Sequence, residues 1–213
     1  MVQSLPDTFL DTVGITDSEQ FKHLTFHNSR LVNLRISLSD SDATLFYVDN
    51  SQVKPSVKSS IPDITLYDGA DKNAPVLGVV HLTLAGANTI GLGNPDAGIR
   101  AMIWERLERT SKWTHGSYQF ESWFDGPETR TKFTWRRTSR TPITGAYTLQ
   151  LIEESKPDLV LAAYGTAQGM RIKTRGRLMI RMGHGEVWER MVLLTALSII
   201  ELNRRRIRHR HYQ

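Results

Sequence analysis

The chain of 213 residues contains no cysteine. Disulfides, thiolate metal sites, thiol nucleophiles and S-palmitoylation are therefore excluded, and a reducing compartment is favoured. It also lacks an uninterrupted apolar run of the roughly twenty residues a membrane-spanning helix needs. Met1 to Asp11 carries acids and no apolar run behind a basic start, the pattern of neither a signal peptide nor an amphipathic import sequence. A cytoplasmic location is expected, with peripheral membrane attachment or the nucleus as variants. The motifs of catalysis are also missing. Gly91 to Gly98 is glycine-rich, but without the Lys and Ser/Thr of a P-loop or the spacing of a dinucleotide fingerprint it reads as a turn between strands. His184, between two glycines, belongs to the turn before a helix, with no serine elbow beside it. His23 and His27 are four apart but lack a third metal ligand, and no spacing pairs two carboxylates for acid–base work. No enzymatic activity, cofactor or metal is expected. A hydrolase at a barrel end, with His184 or His115 beside a carboxylate, is the weakest alternative.

What is present is enough for a core. Five Trp, seven Phe and six Tyr supply apolar area for one domain that needs no staples. Charge is uneven: through Asp125 there are ten Lys/Arg against fifteen Asp/Glu, and from Gly126 seventeen against seven. Such asymmetry points to an anionic partner for the basic half, or to two faces that neutralise each other.

Residues 1–30 show no sustained period and read as an N-terminal extension, partly helical or irregular. From Leu31, short apolar runs alternate with Gly, Pro, Asn, Asp and Ser, the punctuation of strands and turns. The expected strands are Leu31 to Leu38, Ala43 to Asp49, Asp63 to Tyr67, Val76 to Leu84, Ile99 to Leu107, Ser117 to Phe124, Arg130 to Arg137, Tyr147 to Glu153, Leu159 to Tyr164 and Met170 to Met182, with Asn50 to Pro62 as an exposed loop. With so little helix between them, these strands make a barrel or sandwich.

Side chains alternate across a strand, and two strands thereby acquire cationic outer faces. Arg130, Lys132 and Arg136 oppose Phe133 and Trp135, while Arg171, Lys173, Arg175 and Arg177 oppose Ile172, Gly176 and Leu178. If the two strands lie close together, Arg137 and Arg140 extend one anion-sized patch; otherwise the cations solubilise the wall and discourage edge pairing.

Val187, Trp188 and Met191 to Ile200 are apolar except for Thr195 and Ser198, whose hydroxyls can bond back to helix carbonyls. A helix without a polar face must be surrounded. The apolar stretch covers only about 15–20 Å at ~1.5 Å per residue, so burial in protein is preferred to spanning a bilayer. A mainly β, closed antiparallel barrel of about ten to twelve strands over residues 31–203, enclosing a hydrophobic C-terminal helix at about 187–203, follows. The basic tail 204–213 holds Arg204, Arg205, Arg206, Arg208 and Arg210. These cations face the helix macrodipole, attract anionic lipid or contact phosphates of nucleic acid.

This order of elements resembles the tubby-like barrel superfamily of tubby C-terminal domains, phospholipid scramblases and LURP-one-related proteins, and most nearly an uncharacterised fungal family of that group. The resemblance rests on Ala43 to Asn50 (ATLFYVDN), Tyr118 to Phe120, Phe124 to Pro127 followed by Lys132 to Arg136 (KFTWR), and the apolar helix running into Asn203 to Arg206 (NRRR). It implies a roughly twelve-stranded barrel around that helix. Tubby-like domains bind phosphoinositide head groups through basic barrel side chains, although no motif here aligns with their contact residues. The chain departs from scramblases in lacking their cysteine-rich segment and an Asp-rich calcium loop. The expected function is thus non-enzymatic recognition of an anionic surface, phosphoinositide-containing membrane ahead of nucleic acid. The candidate contacts are Lys132, Arg136, Arg137, Arg171, Lys173, Arg175, Arg177, Arg204, Arg205 and Arg206. A structural or protein-interaction domain is the alternative.

Overall fold

A computed structural model describes residues 15, 18–29, 32–51, 61–83, 86–110, 116–123, 129–140, 147–166 and 174–210. The strands are β1 (Phe21–Ser29), β2 (Asn33–Leu38), β3 (Thr44–Asn50), β4 (Ile64–Tyr67), β5 (Val76–His81), β6 (Asn88–Leu92), β7 (Ile103–Arg109), β8 (Ser117–Trp123), β9 (Arg130–Arg140), β10 (Tyr147–Glu153), β11 (Lys156–Thr166) and β12 (Thr174–Arg181). One long helix, α1 (Gly185–Arg210), follows. Each strand pairs antiparallel with its sequence neighbours, and β1 pairs with β12, so the meander closes into a twelve-strand barrel without a crossover. One residue row crosses the closure: Tyr164 faces Leu178, Leu178 faces Leu24, and Leu24 faces Leu38. Closure gives every strand a hydrogen-bonded neighbour on both sides, which an open sheet of this size cannot do.

All twelve strands send buried apolar side chains inward, among them Leu24, Ile36, Val48, Leu66, Val80, Ile90, Leu107, Phe120, Trp135, Leu151, Tyr164 and Leu178. They meet α1, in which every residue from Met191 to Leu202 is buried. The helix is thus the core of the barrel, and its lack of a polar face is what that position requires. Two polar clips set its rotation. Trp135 Nε1 donates to Thr195 Oγ1 at 3.0 Å, and Asn88 Nδ2 donates to Ser198 Oγ at 3.0 Å. Thr195 also bonds back to the Val192 carbonyl at 2.9 Å.

The fit against β5 depends on glycine. A Cβ on Gly78 would meet the Gly91 carbonyl oxygen and Leu194 Cδ1, each at 2.6 Å. Gly78→Val is therefore expected to cost about 1–3 kcal/mol through overpacking, read as a lower urea midpoint with unchanged slope; an unchanged midpoint would show that wall and helix separate freely.

Several expected boundaries are corrected. β1 lies inside the stretch read as an extension, because Phe21 faces the outer wall while Leu24 and Phe26 face the core, leaving no simple period. Phe21 packs outside with Ile15, Val160, Ala163 and Met179. Gly91 belongs to β6 and not to a turn: without a Cβ it admits Trp104, whose Cζ3 lies 2.6 Å from where that atom would sit. β5 stops at His81, and the strand expected from Ile99 begins at Ile103, after 3-10 turns at Pro95–Ala97 and Ile99–Ala101. β9 runs on to Arg140, β11 is longer at both ends than expected, and β12 is described only from Thr174. The helix extends well past Asn203, so the expected tail is helical at least to Arg210. Residues 52–60 of the expected loop, Phe124 to Pro127, and His115 lie outside the described residues.

Candidate functional site

α1 enters the barrel beside the end of β12 and leaves at the opposite mouth, where it carries a cluster of guanidiniums. Glu201, the one acid in its second half, is buried there and takes three of them. Arg204 lies 2.6 Å from it, Arg205 2.8 Å and Arg208 3.8 Å. These are the i+3, i+4 and i+7 positions that share a helical face. Arg205 also reaches the wall: its Nη1 donates to Asp63 Oδ1 at 2.6 Å and its Nη2 to the Ser51 carbonyl at 3.1 Å. Asp63 is held in turn by the Leu82 amide, which donates to its Oδ2 at 2.8 Å. Arg206 points to the other side of the mouth and donates to Tyr118 Oη at 3.0 Å.

Burial favours the neutral form of Arg205, but its hydrogen bonds to Glu201 and Asp63 outweigh that and hold its pKa above the ordinary guanidinium value. Arg175, at the start of β12, behaves oppositely. Burial first, then the positive field of Arg204 and to a lesser degree Arg208, push its pKa down. A cation disfavoured by its surroundings is one that gains from an arriving anion. The cluster of Arg175, Arg204, Arg205, Arg206 and Arg208 sets five guanidiniums against the two carboxylates Asp63 and Glu201. Apolar side chains border it. Ile207 is 57% exposed two residues beyond Arg205, and Ile61 is 58% exposed two residues before Asp63.

The two basic strand faces do not converge. β10 and β11 lie between β9 and β12, which at ~4.8 Å per strand separates them by about 14 Å. The row between them runs Arg136, Gln150, Ala163, Met179, with an apolar half. Lys132 lies 3.9 Å from Glu121. Arg136 reaches Gln150 Oε1 at 3.4 Å and the Pro157 carbonyl at 3.3 Å. Arg137 and Arg177 are exposed, Arg137 near the mouth and Arg177 on the outer wall between Thr25 and Gly165. Arg171 and Lys173 lie outside the described residues. Of the expected contacts among the described residues, Arg175, Arg204, Arg205 and Arg206 gather at the mouth.

Sequence reasoning missed Asp63, Glu201, Tyr118 and Ser51. Glu201 had a signal, a lone acid three and four residues before arginines. The others are brought in by closure alone. Away from the mouth, His27 Nε2 lies 3.0 Å from Ser37 Oγ on the wall, and His184 meets the Trp188 ring edge-on at 6.2 Å. Among the described residues no group of three His, Asp or Glu is placed to hold a metal ion, and no helix is long and apolar enough to cross a membrane. No protein-family model, curated protein or solved structure matches this chain.

Proposed function

We propose that this barrel is a non-enzymatic domain that binds an anionic membrane surface, with phosphoinositide head groups as the preferred contact, through the mouth from which α1 emerges. One observation carries the reading: five guanidiniums with only two carboxylates, flanked by the exposed Ile207 and Ile61. Basic residues near an anionic leaflet contribute on the order of 1 kcal/mol each, and apolar side chains beside them can enter the acyl boundary. Nucleic acid would engage the cations but offer little to two isoleucines. The barrel around a helix is also the architecture implied by the resemblance to tubby-like domains, which supports the same order of partners. A protein-interaction domain is the second reading, favoured by how many of these arginines already have partners within the chain.

Flotation with neutral and phosphoinositide-containing vesicles, at low and physiological salt and with duplex DNA as competitor, tests this. The wild type is expected to float with the anionic vesicles and to lose binding as salt rises. Replacing Arg206 and Arg208 together by Gln is expected to weaken flotation about thirtyfold, from roughly 1 kcal/mol per charge. Ile207→Asn is expected to weaken it at every salt concentration. Removing all residues after Asn203 is the poorer test, since it also strips Arg205 from Asp63. Absence of flotation by folded protein at either salt leaves the interaction domain as the better account.

A further inference from the structure

Toward the end of the barrel opposite the basic mouth, the wall has a seam. β7 and β8 pair only through Glu108 with Gln119 and Arg109 with Tyr118, although β7 begins at Ile103 and β8 continues to Trp123. A cleft of about 370 Å³ lies along this seam, with Trp104, Glu105, Arg106, Phe120, Glu121 and Arg130 among its lining. Glu105 and Phe120 face the core by strand parity, whereas Trp104, Arg106 and Glu121 face out, so the cleft cuts into the wall. Arg130 bridges the seam: it bonds the Glu105 carboxylate and donates to the Glu121 carbonyl at 3.2 Å.

Arg130 engages only Oε2 of Glu105. The carboxylate is 4% exposed, and its buried Oε1 has no hydrogen-bond partner among the described residues. A buried charged acceptor left without a donor is costly, and the cleft that Glu105 lines is the side from which a donor can approach. We infer that the seam is a binding site for an alkylammonium group, whose N–H would complete Glu105 Oε1 while its methylenes lie along the cleft beside Phe120. Three carboxylates, Glu105, Glu108 and Glu121, outnumber the two guanidiniums Arg106 and Arg130 in the lining, so a monocation balances it and an anion does not. One free oxygen suits a compact ammonium better than a second planar guanidinium fork. The volume lies at the small end of ligand pockets, roughly 300–1,000 Å³, and suits a free amine or a single lysyl side chain. This site is independent of the basic mouth.

Isothermal titration of the full chain with n-pentylamine, a monocation, and separately with Nα-acetyl-lysine N-methylamide, tests the assignment and separates the two sources. Saturable one-site binding is expected with at least one probe; binding of the capped lysine alone assigns the site to a lysyl side chain of a protein. Glu105→Gln is expected to weaken binding by about tenfold or more, the worth of one charged hydrogen bond. Burial raises the Glu105 pKa, so affinity is also expected to fall as pH drops through that raised range and the carboxyl is protonated. Should Glu105→Gln fail to fold, Glu121→Gln, which removes an exposed carboxylate of the lining, carries the test, with an expected loss of about threefold. No saturable binding of either probe to folded wild type, or unchanged affinity in the folded variant, overturns the assignment.

Discussion

Trp188→Ala is expected to lower the free energy of unfolding by about 3–5 kcal/mol, the usual cost of removing a fully buried large aromatic side chain. Trp188 is 1% exposed in the first turns of α1, where the helix enters the barrel. Its ring lies 4.6 Å from that of Phe133 and 6.4 Å from that of Phe120. Those two rings project from paired positions on β8 and β9, so the strand pair holds them in place and limits how far they can move in to fill the space. The loss therefore combines transfer energy with a persistent cavity. Guanidinium denaturation followed by far-ultraviolet circular dichroism measures it. Val187→Ala, at a half-exposed neighbour, is the control and is expected to shift stability by no more than about 0.5 kcal/mol. Equal effects of the two substitutions would mean that the helix is not anchored in the wall at this point.

Glu201→Ala is expected to cost about 3–5 kcal/mol for a different reason. The Glu201 side chain is 5% exposed and those of Arg204 and Arg205 are 13% exposed. Deleting the carboxylate leaves two nearly buried cations with Asp63 as their remaining close counterion. Breaking a buried pair from one side is far more damaging than losing an exposed one, because the surviving charge keeps its desolvation penalty. Glu201→Gln retains an acceptor and should lose less. Replacing Glu201 by Leu together with Arg205 by Met should not restore the loss, since Arg204 and Asp63 would then each lose the ion pair that compensates their burial. A double-mutant cycle of Glu201→Ala with Arg205→Ala, read by chemical denaturation, isolates the coupling; a coupling near zero would show that the mouth is solvated and its arginines are available to a partner. The distinction bears on function, because Arg205 is more deeply committed to the fold than Arg206 or Arg208. The latter two, with Arg175, are the better candidates for contact with an anion.

The unequal legibility of the fold has identifiable causes. Strands such as β8 and β9 show alternation because one face meets the helix and the other meets solvent: Tyr118, Phe120, Phe133 and Trp135 are buried, with Arg136 exposed. β1 shows none, because Phe21 is covered from outside by the packet with Ile15 and Met179, and apolar residues on both faces erase a period of two. β6 is short and carries Gly91, which resembles a turn residue until Trp104 is seen to occupy the space its missing side chain leaves. The helix was legible because nothing except full enclosure accommodates a segment that is apolar on every side.

The basic mouth was legible in composition and not in arrangement. An arginine-rich end after an apolar helix is visible in the chain, but Arg205 meets Asp63 across 142 positions and Arg206 meets Tyr118 across 88. Composition and periodicity are local properties; by themselves they determined that this chain makes a β wall around a buried helix, without thiol chemistry and with a surplus of cations toward its C-terminus. Tertiary structure alone decided which cations are bound to Asp63 and Glu201, that the basic faces of β9 and β12 stand apart, and that Glu105 lies buried at an open seam. Each depends on pairings between distant segments, and those are set when the barrel closes and fixes every strand's neighbours at once.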